Sequence, residues 1–405
     1  MDKLTIDNID LKEKRVLTRV DFNVPLENGK VTDDTRIRAA LPTIQKILQN
    51  QGKLILMSHL GRPKGGPDPK YSLMPAATRL TELLGKDVEM APDCVGGDVE
   101  AMVGKMQPGQ VLMLENVRFH PEEEKNDSAF AKQLAVLGDV YVNDAFGSAH
   151  RAHASTEGVA KILKTAAVAG YLMQAELTAL GKLLTGAAQP FVVILGGAKV
   201  SDKIQIIKNL ITRASHLLIG GGMAYTFLKA QGHAIGKSLL EAEHLNLATN
   251  LMTVAVYSNP RKPVKMMFPE DHVIGSNIEG TDAMEQAQID IPADKLAGDI
   301  GPRTIETFRM TILQAKTILW NGPMGVFEKA PFAKGTMAIA AAVAEATERG
   351  AFSVVGGGDS VAALTQSGLT NRISHVSTGG GASLEYLGGQ DLPGVEALTK
   401  APKKA

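Results

Sequence analysis

The chain of 405 residues has only one cysteine, Cys94. A single cysteine cannot form a disulfide within the chain, which excludes a disulfide-stabilised scaffold and favours a reducing compartment. No stretch approaches the ~20 consecutive apolar residues of a membrane-spanning helix, and the first residues carry no long apolar run of the kind found in signal peptides. We therefore expect a cytoplasmic protein that does not contact a membrane.

The chain also lacks an excess of either charge, since Lys and Arg together number 43 and Asp and Glu together also number 43. A net charge of zero leaves no bulk field that would draw the protein to nucleic acid, so any basic site must be local. The composition, with 44% hydrophobic and 21% charged residues, is that of an ordinary soluble globular protein. A chain of this length is expected to hold about two or three domains.

Several nucleotide-enzyme signatures are missing as well. There is no Gly-x-x-x-x-Gly-Lys-Ser/Thr phosphate loop, and the nearest run, residues 232–238, is one residue too short. The His-Arg-Asp and Asp-Phe-Gly signatures of protein kinases are absent, and no Gly-x-Gly-x-x-Gly follows a first strand, which weakens a dehydrogenase interpretation. No set of Cys and His residues has the spacing of a zinc site.

Strand and helix patterns alternate along both halves of the chain, which predicts parallel sheets with helices on their faces. In the first half the predicted strands are 14–26, 53–58, 111–114 and 140–143, and the predicted helices are 35–49, 73–84 and 129–137. In the second half the predicted strands are 191–195, 216–219, 264–268, 317–320 and 352–355, and the predicted helices include 241–256, 304–314 and 337–348.

A long amphipathic helical pattern at 170–184, followed by helix-breaking residues, separates the halves. The predicted fold class is therefore α/β, with two doubly wound parallel-sheet lobes, Rossmann-like, joined by a helix and with a cleft between them. The predicted domains are an N-terminal domain at 1–170, an interdomain helix at 171–186, a C-terminal domain at 187–390 and a tail at 391–405, which we expect to return to the N-terminal domain.

Glycine-rich loops follow the predicted strands of the second half, at 196–198, 220–222, 322–325 and 356–358, and a further one occurs at 379–381. Ligands of open α/β sheets bind at the carboxyl ends of the strands, so these loops favour a nucleotide or phosphate site. If a helix begins between Gly197 and Lys199, then Lys199 and Lys203 share one helical face and add positive charge. The alternative is an ordinary strand-to-helix turn with two solvated lysines.

Asp359 and Ser360 stand where a strand pattern gives way to a helix at 361–366. One interpretation is that they cap this helix, a common role for Asp and Ser. The other is that Asp359 meets a Mg²⁺ ion that nucleotide phosphates carry, because carboxylate oxygens suit this ion.

Arginine and histidine dominate the loops of the first half, in Arg-Val-Asp-Phe-Asn-Val-Pro at 19–25, His-Leu-Gly-Arg-Pro at 59–63, Glu-Asn-Val-Arg-Phe at 115–119 and Ala-His-Arg-Ala-His at 149–153. Arginine forms paired hydrogen bonds to carboxylate and phosphate oxygens, so the set predicts a site for a small, multiply anionic substrate. Taken one by one, these side chains are better explained by surface ion pairs or polar packing, and only their common location at strand ends favours a site.

These motifs, with Gly-Gly-Ala-Lys-Val-x-Asp-Lys at 196–203, Trp-Asn-Gly-Pro-Met-Gly-Val-Phe-Glu at 320–328 and Gly-Gly-Gly-Asp-Ser at 356–360, resemble those of phosphoglycerate kinases. The resemblance implies reversible transfer of the 1-phosphoryl group of 1,3-bisphosphoglycerate to ADP, giving 3-phosphoglycerate and ATP, in glycolysis. It also implies a monomer in which the N-terminal domain holds phosphoglycerate and the C-terminal domain holds the nucleotide with Mg²⁺.

Carried over by motif, the resemblance implies a substrate site made of Asp21, Phe22, Asn23, Arg36, His59, Leu60, Gly61, Arg62, Arg118 and Arg151. It implies a nucleotide site made of Gly197, Ala198, Lys203, Gly221, Asn321, Glu328, Gly357, Gly358, Asp359 and Ser360, with Asp359 meeting Mg²⁺ directly or through water. The catalytic cations would be Arg36, Lys199 and Lys203.

The expected mechanism is direct in-line transfer on domain closure, with cations from both domains around the moving group. Another acyl-phosphate or carboxylate kinase, and a nucleotide-binding scaffold without activity, remain the alternatives.

Overall fold

The computed structural model describes residues 2–257, 263–286 and 288–402 of the chain. They form two compact units: the first contains the chain up to Thr178 and again from Asp391 onward, and the second is Ala179–Gln390. Within the described residues, no helix combines the length and the apolar character needed to cross a bilayer. The end of the predicted tail, residues 403–405, lies outside the described part.

The first unit is built around a parallel sheet, as predicted. Its strands are β1 (Arg15–Arg19), β2 (Leu26–Glu27), β3 (Lys30–Val31), β4 (Lys53–Met57), β5 (Val88–Met90), β6 (Val111–Met113), β7 (Val140–Asn143) and β8 (Ala167–Ala169). Its helices are α1 (Thr35–Gln49), α2 (Met74–Leu84), α3 (Gly97–Lys105), α4 (Ser128–Ala135) and α5 (Val159–Ile162), and α6 (Tyr171–Thr185) leads into the second unit.

The large sheet of this unit has the strand order β5-β6-β4-β1-β7-β8, and every pair of neighbours is parallel. After β1, the chain adds strands β4, β5 and β6 on one side of β1, and it then adds β7 and β8 on the other side. The connections that leave the neighbouring strands β1 and β7 therefore run in opposite directions. Such a reversal opens a crevice at the carboxyl ends of the two strands, where ligands of this fold class bind. Strands β2 and β3 form a separate antiparallel hairpin.

The predicted helix 35–49 coincides with α1 and the predicted strand 140–143 coincides with β7. The predicted strand 14–26 is too long, because β1 ends at Arg19 and the chain continues as an irregular loop. The sequence prediction also did not include β5, α3 or β8. The two strands are only three residues long, and neither has a continuous run of large apolar side chains.

The second unit repeats the plan. Its strands are β9 (Phe191–Leu195), β10 (His216–Ile219), β11 (Lys265–Met267), β12 (His272–Gly275), β13 (Met284–Gln286), β14 (Leu296–Ile300), β15 (Thr317–Asn321), β16 (Phe352–Gly356) and β17 (His375–Val376). Its helices are α7 (Ile204–Leu210), α8 (Met223–Ala230), α9 (Leu245–Tyr257), α10 (Pro302–Leu313), α11 (Lys334–Glu348), α12 (Gly358–Gln366) and α13 (Gly381–Leu387).

The large sheet of the second unit has the order β11-β10-β9-β15-β16-β17, again parallel throughout. The direction of building reverses between β9 and β15, which are neighbours at its centre. All side chains of these two strands are buried, which explains the unbroken apolar run of β9 and the apolar centre, residues 318–320, of β15. The antiparallel sheet of β13, β12 and β14 was not predicted, and neither was α8.

After α13 the chain returns to the first unit. Helix α14 (Pro393–Glu396) begins there, and the Gly394 N–H donates to the Ala149 carbonyl at 2.8 Å. Further on, the Leu4 N–H donates to the Thr399 carbonyl at 2.8 Å, and the Thr399 N–H donates to the Ala167 carbonyl at 2.8 Å. The two ends of the chain therefore pair beside β8.

Candidate active-site loops

The loops at the carboxyl edge of the first sheet carry the arginine and histidine side chains that the sequence singled out. Asp21 and Asn23 follow β1, His59 follows β4, Arg118 follows β6 and Arg151 follows β7. Four parallel strands therefore deliver these residues to one edge, while Arg36 joins them from the first turn of α1. We refer to this set, together with Arg19 at the end of β1 and Arg62 in the loop after β4, as the basic cluster.

Arg19 and His59 form the buried base of the basic cluster. Arg19 is 1% exposed, its Nη2 lies 3.1 Å from His59 Nδ1, and its Nε donates to Ser155 Oγ at 2.8 Å. Burial holds the pKa of His59 well below its usual value, and the charges of Arg19 and other arginines act in the same direction. His59 is therefore neutral. Because guanidinium can only donate, Nδ1 accepts and Nε2 keeps its hydrogen as a donor.

Asp21 and Asn23 accept hydrogen bonds from the start of α1 and from the loop after β4, respectively. Asp21 Oδ2 accepts from Arg36 Nη1 at 2.8 Å, and Asn23 Oδ1 accepts from the Gly61 N–H at 2.8 Å. Gly61 has φ +61°, and a Cβ atom there would stand 2.5 Å from the ring of Tyr71, so only glycine fits. The Asp21 carboxylate thus orients Arg36, which remains partly exposed at 37% of its side-chain area.

Two predicted site residues have side chains that face the core. Phe22 is fully buried and Leu60 is 4% exposed, and both belong to the main hydrophobic cluster of the first unit. The Phe22 N–H donates to Ser58 Oγ at 2.8 Å. Neither side chain is therefore available to a ligand, and the Leu60 carbonyl accepts from Asn116 Nδ2 at 2.8 Å.

Arg118, Arg151 and Arg62 complete the basic cluster. Arg118 Nη1 donates to the Gly61 carbonyl at 3.0 Å, and its Nε lies 3.5 Å from Glu124. Burial, with Arg19 next, lowers the pKa of Arg118. Arg151 Nε lies 3.2 Å from His150 Nε2, and Arg62 is exposed. The positive charges of these arginines thus repel one another, and an anionic ligand would reduce this repulsion.

Sequence reasoning missed two residues that hold the cluster, Glu123 and Ser155. Glu123 is fully buried, and its two carboxylate oxygens accept from Ser155 Oγ at 2.6 Å and from the Ser155 N–H at 2.8 Å. Since Ser155 in turn accepts from Arg19, a buried chain runs from Glu123 through Ser155 and Arg19 to His59. Glu123 lies within the run Glu-Glu-Glu-Lys at 122–125, which as sequence is typical of a solvated surface.

In the second unit, the glycine loops and both predicted lysines line a cavity of about 320 Å³, the phosphate cavity. It is lined by Gly196, Gly197, Ala198, Lys199, Asp202, Lys203, Asn321, Gly322, Gly357, Gly358, Asp359, Ser360, Gly380, Gly381 and Leu384. Lys203 Nζ donates to Asn321 Oδ1, and Asn321 Nδ2 donates to the Gly356 carbonyl at 2.8 Å. Burial lowers the pKa of Lys203, so an anion would favour its charged form.

The condition under which Lys199 and Lys203 would share a helical face is not met. A short 3₁₀ turn occupies Ser201–Lys203, and α7 begins only at Ile204. Lys199 therefore lies in the loop and does not share a helical face with Lys203. Both lysines nevertheless reach the same cavity, because the loop from Gly196 onward folds along its wall.

The glycines of these loops serve two different purposes. A Cβ at Gly196 would lie 2.0 Å from the Pro323 carbonyl oxygen, and one at Gly322 would lie 2.2 Å from the Gly196 carbonyl oxygen. These glycines let two loops cross at close range. By contrast, a Cβ at Gly358 or Gly380 would meet nothing within 4 Å, so the phosphate cavity is open at these positions.

An apolar slot of about 400 Å³ adjoins the phosphate cavity and shares Gly197, Ala198 and Asp359 with it. Its lining includes Gly221, Gly222, Leu239, Ile278, Met324 and Glu328. Leu239 and Ile278 are 47% and 46% exposed, so the slot has an open apolar side. An apolar slot that continues into a glycine- and lysine-lined cavity has the chemistry of a nucleotide site, with room for a base and then phosphates.

Asp359 and Ser360 differ in their surroundings. The N-cap of α12 is Gly357, with no side-chain cap, so the capping interpretation of Asp359 and Ser360 is wrong. Ser360 is buried and its Oγ accepts from the Gly322 N–H at 2.5 Å, which ties two loops together. The Asp359 carboxylate is exposed on the wall of both cavities. Its oxygens have the chemistry that Mg²⁺ requires, so the residues present fit this ion.

The first unit has a larger cavity of about 680 Å³ beside α1, whose lining includes Arg38, Asp34, Arg79 and Glu82. Its arginines are already paired, because Arg38 and Arg79 both contact Asp34 and Arg79 also contacts Glu82. The chemistry therefore favours the basic cluster as the anion site of this unit.

Comparisons with known proteins identify the family of the chain. The model of the family "Phosphoglycerate kinase" matches residues 6–390. The phosphoglycerate kinase of Chloroherpeton thalassium is 56% identical over 402 residues, covering 99% of this chain and all of that protein. The enzyme of Moorella thermoacetica is 55% identical over 401 residues, covering 99% of this chain and all of that protein.

Solved structures give the same result. Phosphoglycerate kinase from Coxiella burnetii superposes with a TM-score of 0.88 at 42% identity, and that from Pyrococcus horikoshii with a TM-score of 0.83 at 32% identity. Each comparison covers 98% of both chains. The chain belongs to the phosphoglycerate kinase family.

Proposed function

We propose that this chain transfers the 1-phosphoryl group of 1,3-bisphosphoglycerate to ADP, giving 3-phosphoglycerate and ATP, reversibly, as a step of glycolysis. The observation that carries the proposal is the pair of sites with different chemistry in a chain of this family. One unit offers an arginine cluster for a small anion, and the other offers an apolar slot that continues into a phosphate cavity.

The basic cluster is the proposed phosphoglycerate site. Arg62, Arg118 and Arg151 would bind the phosphate and carboxyl oxygens, since guanidinium pairs with both groups through two hydrogen bonds. The neutral His59 would donate from Nε2, and Asn23 would hold the loop that contains Gly61. Asp21 would contact the ligand as well, whereas the buried side chains of Phe22 and Leu60 would support the loops behind it.

The second unit is the proposed site of the nucleotide. The base would occupy the apolar slot, Glu328 would reach the ribose, and the phosphates would lie against Gly357 and Gly358 at the start of α12. The free N–H groups and the dipole at a helix N-terminus favour phosphate there. Mg²⁺ held at Asp359, directly or through water, would neutralise part of the phosphate charge.

Arg36, Lys199 and Lys203 are the proposed catalytic cations. A phosphoryl group in transfer spreads negative charge over its oxygens, so positioned cations lower the barrier without a covalent intermediate. Direct in-line transfer requires that the two reactants meet, so closure of the two units during the cycle is part of the proposal. Closure would also exclude water, which otherwise competes for the phosphoryl group.

A coupled assay that follows ATP consumption with 3-phosphoglycerate, acetate or aspartate as the acceptor tests the reaction. Of the three acceptors, we expect only 3-phosphoglycerate to support ATP consumption, and we expect this activity to be lost when Mg²⁺ is chelated. Activity with acetate or aspartate instead would indicate another carboxylate kinase. Nucleotide binding without turnover would indicate a scaffold.

The proposal also covers the setting of the enzyme, a cytoplasmic monomer with small-molecule partners and no nucleic acid or membrane partner. Light scattering at working concentration tests the monomer, and a mass of two chains would contradict it.

A further inference from the structure

A cluster of three potential metal ligands lies in the first unit, outside the basic cluster. Asp93 and Cys94 belong to the loop between β5 and α3, and His120 follows the short 3₁₀ turn Val117–Phe119 after β6. Because β5 and β6 are parallel neighbours, both loops leave the same edge of the sheet. One ligand atom from each residue lies within 4.8 Å of the other two.

The three side chains are held in place before any ion binds. Asp93 Oδ1 lies 2.7 Å from His120 Nε2 and also accepts from the Cys94 N–H at 2.6 Å. The His120 ring stacks on Phe130 with centroids 5.1 Å apart. Cys94 is fully buried, while the side chains of His120 and Asp93 are 29% and 43% exposed. The thiol thus forms the floor of a site whose other two ligands border solvent.

We propose that Asp93, Cys94 and His120 bind Zn²⁺ or a transition-metal ion of similar softness, with water as a fourth ligand. Bonds of about 2.3 Å to sulfur and 2.1 Å to nitrogen and oxygen, at tetrahedral angles, separate ligand atoms by about 3.4–3.6 Å. The Asp93–His120 pair therefore opens by less than about 1 Å to admit the ion. A thiolate and a carboxylate together balance the charge of a divalent cation.

The ligand types separate this site from the proposed magnesium site. Thiolate and imidazole select zinc-like ions, whereas Mg²⁺ prefers six oxygen ligands and retains its water. A second group, Glu241, Glu243 and His244 in the other unit, has no thiol among its ligands. The Asp93 site is therefore the one at which a bound ion would contact sulfur.

An ion bound here would connect the loop after β5 to the segment that carries Arg118, because His120 is only two residues beyond that arginine. It would bind the folded chain and not the unfolded one, so it would raise the melting temperature. Sequence spacing does not show this site, because the cysteine and the histidine come from distant parts of the chain.

Cobalt substitution tests the proposal on the full-length protein. Cobalt bound to a thiolate gives a sulfur-to-metal charge-transfer band, and Cys94 is the only cysteine in the chain, so the band reports this one residue. We expect the band to appear on titration with CoCl₂, to disappear when ZnCl₂ displaces the cobalt, and to persist when excess MgCl₂ is added. No band at saturating cobalt would show that Asp93 and His120 form an ion pair only.

Variants assign the three ligands. We expect Cys94→Ser to abolish the band, and Asp93→Asn and His120→Asn each to weaken cobalt binding at least tenfold. His233→Asn is the matched control, because His233 also pairs with a carboxylate, Asp290, at 3.2 Å. Its cobalt affinity should equal that of the wild type. Unchanged affinity in both Asp93→Asn and His120→Asn would overturn the site, and these variants keep the test valid if Cys94→Ser does not fold.

Discussion

The two units have closely related sheets, but the residues that line their candidate sites differ. In each, the chain starts at a central strand, β1 or β9, builds to one side, and then resumes from the neighbouring strand, β7 or β15. The loops at this reversal carry the basic cluster in the first unit and the wall of the phosphate cavity in the second. The topology thus determines where a ligand site lies, while the residues in the loops determine what it binds.

The means of holding an anion also differ. The first unit uses guanidinium groups that are fixed by buried partners, as Arg19 is by Ser155. The second uses main-chain N–H groups at a helix start together with two lysines. Arginine matches the paired oxygens of a small substrate, whereas a flexible glycine-lined cavity suits a polyphosphate chain.

The largest expected effect is that of removing the proposed catalytic cation of the first unit. Arg36→Ala should lower kcat about 10²–10³-fold with a smaller change in KM, because its contact strengthens as charge develops on the moving group. Arg38→Ala is the control, since Arg38 lies on the same helix but pairs with Asp34. Steady-state kinetics with 3-phosphoglycerate and ATP measures both. A change confined to KM would contradict a transition-state role for Arg36.

The corresponding change in the second unit is Lys199→Ala, for which we expect kcat to fall about 10²-fold. Lys208→Ala is the control, because Lys208 lies on α7 and does not line the phosphate cavity. If Lys199→Ala retained a near-wild-type rate, the second unit would contribute to catalysis without this lysine.

A smaller effect should follow from cutting the buried chain behind the basic cluster. Ser155→Ala removes the link between Glu123 and Arg19, so we expect kcat/KM for 3-phosphoglycerate to fall about tenfold while KM for ATP stays unchanged. Ser276→Ala is the control, since it removes a similar contact, to Asp282, in the other unit. An equal loss of kcat/KM for 3-phosphoglycerate and for ATP would show that Ser155 supports folding in general and not the basic cluster.

The smallest expected effect concerns acid stability. Burial, with the arginine charges, lowers the pKa of His153 to about 4 from its usual 6.5. The unfolded chain therefore takes up a proton that the folded chain does not, and stability present above pH 6.5 is lost as the pH falls toward 4. His153→Asn should reduce the slope of the free energy of unfolding against pH in this range by at most about 1.4 kcal/mol per pH unit. Urea unfolding across this range measures it, and an unchanged slope would contradict the assignment.

The sequence predicted those buried strands that carry several large apolar side chains in a row. The predicted strands 191–195 and 216–219 match β9 and β10 to the residue, since continuous apolar runs leave little ambiguity. The short strands β5 and β8 and the small sheet of β12–β14 could not be predicted, because their few residues show no period. The sequence left open whether a helix already begins near Lys199, because glycines that let loops cross look the same in sequence as glycines that begin a helix.

The sequence also indicated some residues of the candidate sites and missed others. His59 and Lys203 belong to motifs that follow strands, so topology places each of them at the ligand edge of its own sheet. Glu123 and Ser155 were not predictable, because neither residue differs in sequence from surface polar residues. Their role depends on burial, which is a property of the tertiary structure.

The central claim is that each unit binds one reactant. Equilibrium binding of 3-phosphoglycerate and of ADP with Mg²⁺, measured separately by calorimetry on Arg118→Met and Lys203→Met, tests it most directly. The account predicts that Arg118→Met weakens only phosphoglycerate binding and that Lys203→Met weakens only nucleotide binding, each about tenfold or more. Loss of nucleotide affinity in Arg118→Met with phosphoglycerate affinity intact would contradict it.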